Sequence, residues 1–170
     1  MPVLGVNHAV LKVRVLDRSV AFYRDVLGLT EIARAFGQMA FLRAPGSDNH
    51  HDLGLLELGA SAPPAVERAA GLYHLAWQVA DIGELADVRK RLAERGALTG
   101  QSDHGATKSL YGIDPDGNEF EVMWLVPREA WGEWEDQADT LPLDLEREIA
   151  RWSGKGVAAA TPLAQSSARA

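Results

Sequence analysis

The five histidines and 24 acidic residues of this 170-residue chain are of types that can bind divalent metals, and three stand out by their positions: His8, His74 and Glu121. Two imidazoles and one carboxylate form a ligand set that leaves a divalent ion with open coordination positions. Each of the three stands in a short apolar segment of alternating side chains, which indicates a β-strand. Because scattered residues establish nothing alone, the elements that place them decide whether they form a site.

Two of these residues occupy the same place in a repeated segment. His8 lies in residues 6–13, and His74 lies in residues 72–79, with the two histidines 66 positions apart. In an alternating strand, His8 and His74 would each face away from the apolar side chains that pack against a helix. The repeat therefore predicts that both histidines lie on the open face of their sheets.

A helix is expected after each of these strands. Asp17 is the expected N-cap of the first helix, and Gly28 ends it. Asp81 is the expected N-cap of the second, with Glu84 three residues later completing a capping box, and Gly96 ends it.

Three candidate strands follow each helix: residues 31–35, 39–43 and 52–58, and then residues 97–101 (a weak pattern), 109–113 and 119–125. The expected fold is α+β, with two βαβββ modules (residues 4–60 and 71–126) in a single domain of residues 1–128 that carries the metal-binding residues. A tryptophan-rich extension (129–153) follows, with a helix expected near 141–152 and its tryptophans packed on the core or on a partner chain. A flexible tail (154–170) completes the chain.

The strand pattern predicts further neighbours for the three metal-binding residues. If the turn at 114–118 closes a symmetric hairpin, Tyr111 lies directly opposite Glu121. If the sheets of the two modules curl toward one another, they gather His8, His51, His74, Tyr111 and Glu121 in one cavity.

Composition excludes several classes of function. The formal charge of −7 and the pI of about 5.2 argue against a nucleic-acid or anionic-membrane partner, which requires a basic surface. The chain has no cysteine, so a metal site must use nitrogen and oxygen ligands. With no evident signal peptide and no long apolar stretch, the expected location is the cytoplasm.

Four stretches carry a family resemblance: residues 6–13, 19–29, 73–76 and 111–121. Through them the chain, from about residue 4 to residue 126, resembles the vicinal oxygen chelate superfamily, which includes glyoxalases, bleomycin- and fosfomycin-resistance proteins and type I extradiol dioxygenases. The resemblance implies paired βαβββ modules that form incomplete barrels around a metal, in a single metal-binding domain. Members of the superfamily commonly dimerise, so a homodimer is expected.

The extradiol branch is similar in its metal ligands, which match His8, His74 and Glu121. This resemblance implies an Fe(II)-dependent dioxygenase that opens the ring of a catechol-type aromatic diol with O2. Mn(II), Ni(II) and Zn(II) are also compatible with the ligand set.

The same resemblance implies three catalytic side chains. His51, before Asp52-Leu53, would act as the acid–base group. Tyr111 would hydrogen-bond the substrate oxygen at the metal. His104 would be a hydrogen-bond donor that does not bind the metal itself.

Two other functions remain open at this point. In a glyoxalase I-like or epimerase-like isomerase or lyase, Glu57 would be a fourth ligand from the last strand of the first module. A bleomycin-resistance-like protein would bind its ligand without catalysis.

Overall fold

The structure is a computed structural model that describes residues 2–3, 5–64, 66, 70–137 and 139–154. Its elements are β1 (Ala9–Val13), α1 (Leu16–Leu27), β2 (Thr30–Ala35), β3 (Met39–Arg43), β4 (Leu53–Glu57), β5 (Leu75–Val79), α2 (Ile82–Glu94), β6 (Leu98–Asp103), β7 (Thr107–Ile113), β8 (Glu119–Leu125) and α3 (Leu145–Trp152), with short 3-10 helices at Arg128–Ala130 and Gly132–Glu135. The tail predicted for 154–170 lies outside the described residues, apart from Gly154.

The strands form two open four-stranded sheets, in the orders β1-β4-β3-β2 and β5-β8-β7-β6. The outer strand that begins each module pairs in parallel with the last strand of that module, and the remaining pairs are antiparallel. The predicted α+β fold of two βαβββ modules is therefore confirmed. The segment with the weak strand pattern near 97–101 is a six-residue strand, β6, whose register with β7 shifts between Leu98 and Gly100.

The strands that follow the two histidines are shorter than the sequence pattern predicts. β1 begins at Ala9 and β5 at Leu75, so His8 and His74 each stand immediately before a strand. Side-chain alternation extends beyond the hydrogen-bonded ladder, which explains the difference. The predicted faces still hold, since Ala76 and Gln78 are exposed while Trp77 is partly buried.

The predicted N-cap of α1, Asp17, is wrong. The helix begins two residues earlier than predicted, with Val15 as its N-cap residue and no side-chain cap hydrogen bond from it. The first free backbone amide, Leu16 N, instead donates to Glu57 Oε2 at 2.6 Å. Asp17 lies in the first turn and pairs with Arg34 at 2.7 Å. Sequence spacing could not show this, because the capping carboxylate comes from β4.

The N-cap of α2 is confirmed. Asp81 accepts a hydrogen bond from Glu84 N at 2.9 Å, and Glu84 Oε2 accepts from Ala80 N at 2.8 Å. The reciprocal bonds resemble a capping box shifted by one residue.

One apolar core joins both modules. Phe22 and Tyr23 of α1 pack against Phe120 of β8, with ring centroids 5.9 and 6.2 Å apart. The turn between β7 and β8 adds hydrogen bonds between the modules, since the buried Asp116 accepts from Arg14 Nε at 2.7 Å and also from Arg18. The two modules therefore fold against each other.

The tryptophan-rich extension packs on the core of the second module, one of the two placements that the sequence left open. Trp131 and Trp152 are partly buried against the core, and the Trp152 ring lies 5.5 Å from that of Trp124. Asp144 caps α3 by accepting from Arg147 N at 3.0 Å. In the portion of the chain that the structure describes, no helix has the length and apolarity needed to cross a membrane.

Candidate metal centre

Two of the predicted metal ligands meet in the second module. His74 Nε2 lies 3.1 Å from Glu121 Oε2, and both side chains are partly exposed, at 27% and 13%. The other ring nitrogen, His74 Nδ1, is buried and has no hydrogen-bond partner. An imidazole and a carboxylate side by side are two of the ligand types that divalent cations bind in proteins.

The predicted hairpin register is confirmed. Tyr111 pairs directly with Glu121, and Ile113 pairs with Glu119. The alternation along β8 is confirmed as well, because Phe120 is buried while Glu121 is partly exposed. The ring centroid of Tyr111 lies 6.1 Å from that of His74. Tyr111 therefore lies beside the His74–Glu121 pair.

The Tyr111 hydroxyl belongs to a hydrogen-bonded group of three side chains, with His104 and Ser102. His104 Nε2 lies 2.8 Å from both Tyr111 Oη and Ser102 Oγ, and the two hydroxyl oxygens are 3.1 Å apart. Sequence reasoning missed Ser102. The signal was available, because Ser102 stands two residues before His104, but the strand pattern of β6 is too weak to reveal it.

The other two predicted site histidines meet in the first module. The rings of His8 and His51 are 4.4 Å apart, and Phe41 lies 4.8 Å from His51. Burial lowers the pKa of His51 below its ordinary value of 6.5, and the neighbouring imidazoles of His8 and His50 lower it further. His50 itself is exposed.

Within one chain the structure keeps these two histidine groups apart. Among the described residues, no three histidine or acidic side chains are close enough together to hold a metal ion. His8 lies with His51, whereas His74 and Glu121 lie with Tyr111 and His104. The cavity expected to gather all five predicted residues is therefore absent from a single copy of the described chain.

The strand registers show that Glu57 is not the residue of the first module that corresponds to Glu121. Glu121 of β8 pairs with Ala76 of β5, while Gly54 of β4 pairs with Val10, which stands at the matching position of β1. The structural counterpart of Glu121 in the first module is therefore Gly54. A Cβ atom at Gly54 would lie 3.0 Å from Val10 Cγ2, a tight approach for any larger residue. Glu57 itself lies at the end of β4, on the N-terminus of α1.

A cavity of about 740 Å³ is lined by residues of both modules, including Asp52 and Val122, the chain neighbours of His51 and Glu121. It separates β5 and α2 from the loop after β3, with Trp77, Val88, Val122 and Arg91 among the residues of its wall. None of the predicted ligands or catalytic residues lines it. Its size alone therefore does not mark it as the metal centre.

Comparison with known proteins places the chain in a family. The model of the family described as the glyoxalase/bleomycin resistance protein/dioxygenase superfamily matches residues 5–122. A catechol-2,3-dioxygenase from Bacillus subtilis (strain 168) is 37% identical over 127 residues, which are 74% of this chain and 43% of that protein. A manganese-dependent 2,3-dihydroxybiphenyl 1,2-dioxygenase from Geobacillus genomosp. 3 is 28% identical over 126 residues, 72% of this chain and 37% of that protein.

A solved structure agrees with the fold. A glyoxylase/bleomycin resistance protein/dioxygenase domain from Frankia sp. EAN1pec matches with a TM-score of 0.63 and 27% identity, over 74% of this chain and 100% of that one. The chain spans 43% and 37% of the two dioxygenases it resembles, whereas it covers the whole of the Frankia domain.

Proposed function

This chain belongs to the glyoxalase/bleomycin resistance protein/dioxygenase superfamily, and from that premise we propose that it is a metal-dependent extradiol dioxygenase. Its substrate would be a catechol-type aromatic diol, cleaved with O2 beside the two hydroxyl groups. The names of the relatives at 37% and 28% identity support this reaction class.

One observation carries the proposal: the His74–Glu121 pair stands beside Tyr111 and His104. A metal-binding pair alone suits many reactions of this fold. The adjoining phenol and imidazole add groups that orient a hydroxylated substrate and handle its protons, which a plain binding protein does not require.

The residues present fit a divalent metal. His74 and Glu121 would hold it together with His8 of a second copy of the chain, and the bound ion would supply Lewis acidity to a chelating diol. We propose Fe(II), with Mn(II) as the main alternative, because one dioxygenase relative is named as manganese-dependent.

The chain's own side chains would then position the substrate. The Tyr111 hydroxyl would hydrogen-bond one diol oxygen, and the His104 ring would hold that phenol in place, as it does at 2.8 Å in the structure. His51, 4.4 Å from His8, would take a proton and return it during ring opening.

The structure disfavours a four-ligand glyoxalase shell. Gly54 stands where a second strand carboxylate would match Glu121, and Glu57 is engaged by the Leu16 amide. No described feature favours the non-catalytic alternative either, so we keep the extradiol reaction as the single proposal.

We propose that two copies complete each metal site. β1 and β5 are the outer strands of their sheets, and among the described residues neither has a strand along its second edge. His8 and His74 immediately precede these two strands. A homodimer that sets β1 of one copy beside β5 of the other would bring His8 and His51 to the His74–Glu121 pair.

Mixing inactive variants tests this assembly. His8→Ala and His74→Ala should each abolish activity, because each removes a ligand from both sites of the dimer. After subunit exchange, one site of a mixed dimer carries both substitutions and the other carries neither, so about a quarter of wild-type activity should return. His74→Ala mixed with Glu121→Ala is the matched control and should recover nothing. Failure of the first mixture would refute the shared site while leaving the reaction class intact.

Ring cleavage tests the reaction class itself. Protein reconstituted anaerobically with Fe(II), and in parallel with Mn(II), should consume O2 and form a yellow product from catechol or 2,3-dihydroxybiphenyl. His51→Ala should retain the metal but lose turnover. Absence of O2 uptake across a panel of catechols, in protein shown to contain its metal, would contradict the proposal.

A further inference from the structure

The segment that follows the family match contacts the candidate metal centre. Residues 139–154, which we call the C-terminal strap, lie beyond residue 122, where the match ends. Leu141 and Asp103 exchange two backbone hydrogen bonds, each of 2.8 Å, and Gln101 Nε2 donates to Leu143 O at 2.9 Å. The strap therefore follows the outer edge of β6, the strand that ends immediately before His104.

At its first residue the strap contacts the His104 ring. His104 Nδ1 lies 2.9 Å from the backbone carbonyl of Asp139. Thr140 Oγ1 is further from the same nitrogen, at 3.4 Å. A carbonyl oxygen only accepts hydrogen bonds, so this contact requires a hydrogen on Nδ1. In a neutral imidazole the second nitrogen, Nε2, is then an acceptor.

The identity of the protonated nitrogen determines where the Tyr111 hydroxyl hydrogen points. With Nε2 as acceptor, it receives the hydrogen of either Tyr111 or Ser102, both 2.8 Å away. If Ser102 donates to Nε2, Tyr111 donates to the Ser102 oxygen, 3.1 Å away. In both arrangements the phenol hydrogen stays inside the group of three side chains. The opposite tautomer would place a hydrogen on Nε2 and turn a ring lone pair toward the carbonyl of Asp139.

We infer that the C-terminal strap is a positioning element of the site, in which the Asp139 carbonyl holds His104 as the Nδ1–H tautomer and thereby keeps the Tyr111 hydrogen directed away from the substrate. Asp139 acts through His104 and touches no substrate. A further consequence rests on the proposed function: the diol oxygen facing Tyr111 donates a hydrogen bond to the phenol oxygen, so that hydroxyl enters the site protonated.

Buried contacts hold the strap independently of the His104 ring. Leu143 and Leu145 are both buried, with 6% of their surface exposed. Glu148, 1% exposed, accepts from Trp152 Nε1 at 3.0 Å and lies 3.9 Å from the buried Lys108 Nζ. The strap can therefore be loosened by a substitution that changes no side chain of the site.

The tautomer is measurable without metal or substrate. Long-range 1H–15N correlation spectra of the full-length, 15N-histidine-labelled, metal-free protein distinguish Nδ1–H from Nε2–H, and the His104 signals are those missing from His104→Gln. We expect the Nδ1–H pattern in the wild type. An Nε2–H pattern would overturn the inference. Because no turnover is measured, its failure is separate from failure of the proposed reaction.

Two variants identify what sets the tautomer. Leu143→Ala should loosen the strap, seen as faster hydrogen exchange at the Leu141 amide, and should shift the His104 signals toward a mixture of tautomers. Leu16→Ala, a similarly buried leucine of α1, is the matched control and should leave them unchanged. Tyr111→Phe should retain Nδ1–H. A tautomer change in Tyr111→Phe, or an unchanged tautomer in Leu143→Ala despite fast Leu141 exchange, would refute the role of the strap.

Discussion

Asp116 shows how a single carboxylate joins the two modules. It is buried, and it accepts hydrogen bonds from the backbone amide and side chain of Arg14 and from Arg18. Asp116→Asn removes the charge but keeps the shape, so we expect the free energy of unfolding to fall by roughly 1–3 kcal/mol, measured by urea denaturation. Asp25→Asn, in a more exposed ion pair, is the control and should change the midpoint little.

The same carboxylate predicts a pH dependence. Burial acts to raise the pKa of Asp116, but the hydrogen bonds from Arg14 and Arg18 outweigh it and hold the pKa below the ordinary 3.8. A lowered native pKa stabilises the fold above the unfolded pKa, and this contribution is lost as the pH falls through the native value. The stability difference between wild type and Asp116→Asn should therefore be constant down to about pH 5 and shrink below about pH 4. A constant difference at pH 3 would contradict this account.

Glu57 is the residue whose role the structure changes most. As the acceptor for Leu16 N, it caps α1 from a neighbouring strand. We expect Glu57→Ala to cost about 0.5–2 kcal/mol of stability by thermal or urea denaturation, the range for loss of an N-cap. Metal content per chain should stay at the wild-type value, as it should in Glu119→Gln, an exposed control on β8. If Glu57→Ala loses metal and Glu119→Gln does not, this result would support the four-ligand alternative.

At the scale of the element, the hairpin of β7 and β8 sets the site through its register. Gly112 lies in this hairpin opposite Phe120, and a Cβ atom there would be 2.8 Å from Phe120 Cζ and 3.1 Å from the Ala97 carbonyl. Gly112→Ala should therefore destabilise the protein by roughly 1–3 kcal/mol through overpacking. Gly100→Ala in β6, whose Cβ would make an ordinary 3.6 Å contact with Tyr111, is the matched control. Equal stability of the two variants in urea would contradict the register.

At the scale of the whole molecule, the two modules form one folding unit. All five tryptophans lie at position 77 or later, so their fluorescence reports on the second module and the extension, whereas far-UV circular dichroism reports on both modules. Because α1 packs on β8 and Asp116 is hydrogen-bonded to the first module, the two signals should change at the same urea concentration. Val26→Ala, a core truncation in the first module, should shift both transitions together. A separate early transition in circular dichroism alone would show that the modules unfold independently.

The sequence predicted the fold and the neighbours within each module, because these follow from side-chain periodicity. The Tyr111–Glu121 pairing follows from the symmetric turn between β7 and β8, and the Asp81 cap follows from local spacing. Contacts between residues that lie far apart in the sequence could not be predicted from it. The Glu57 cap depends on how a strand approaches a helix, which no spacing along the chain encodes. Ser102 was missed for a different reason, because the strand pattern of β6 is weak. The three predicted metal ligands also do not meet among the described residues of one chain, because their meeting depends on how the sheets of the modules pair.

The glycine at position 54 has a consequence for the charge of the proposed centre. Since Gly54 stands where the repeat would otherwise place a second carboxylate, Glu121 supplies the only negative charge from these two strand positions. Neutral imidazoles from His8 and His74 add none, so a divalent cation bound there keeps one positive charge uncompensated. A singly deprotonated diol neutralises that charge, whereas a neutral ligand leaves it unbalanced. The missing side chain in the first module therefore favours monoanionic chelators over neutral ones.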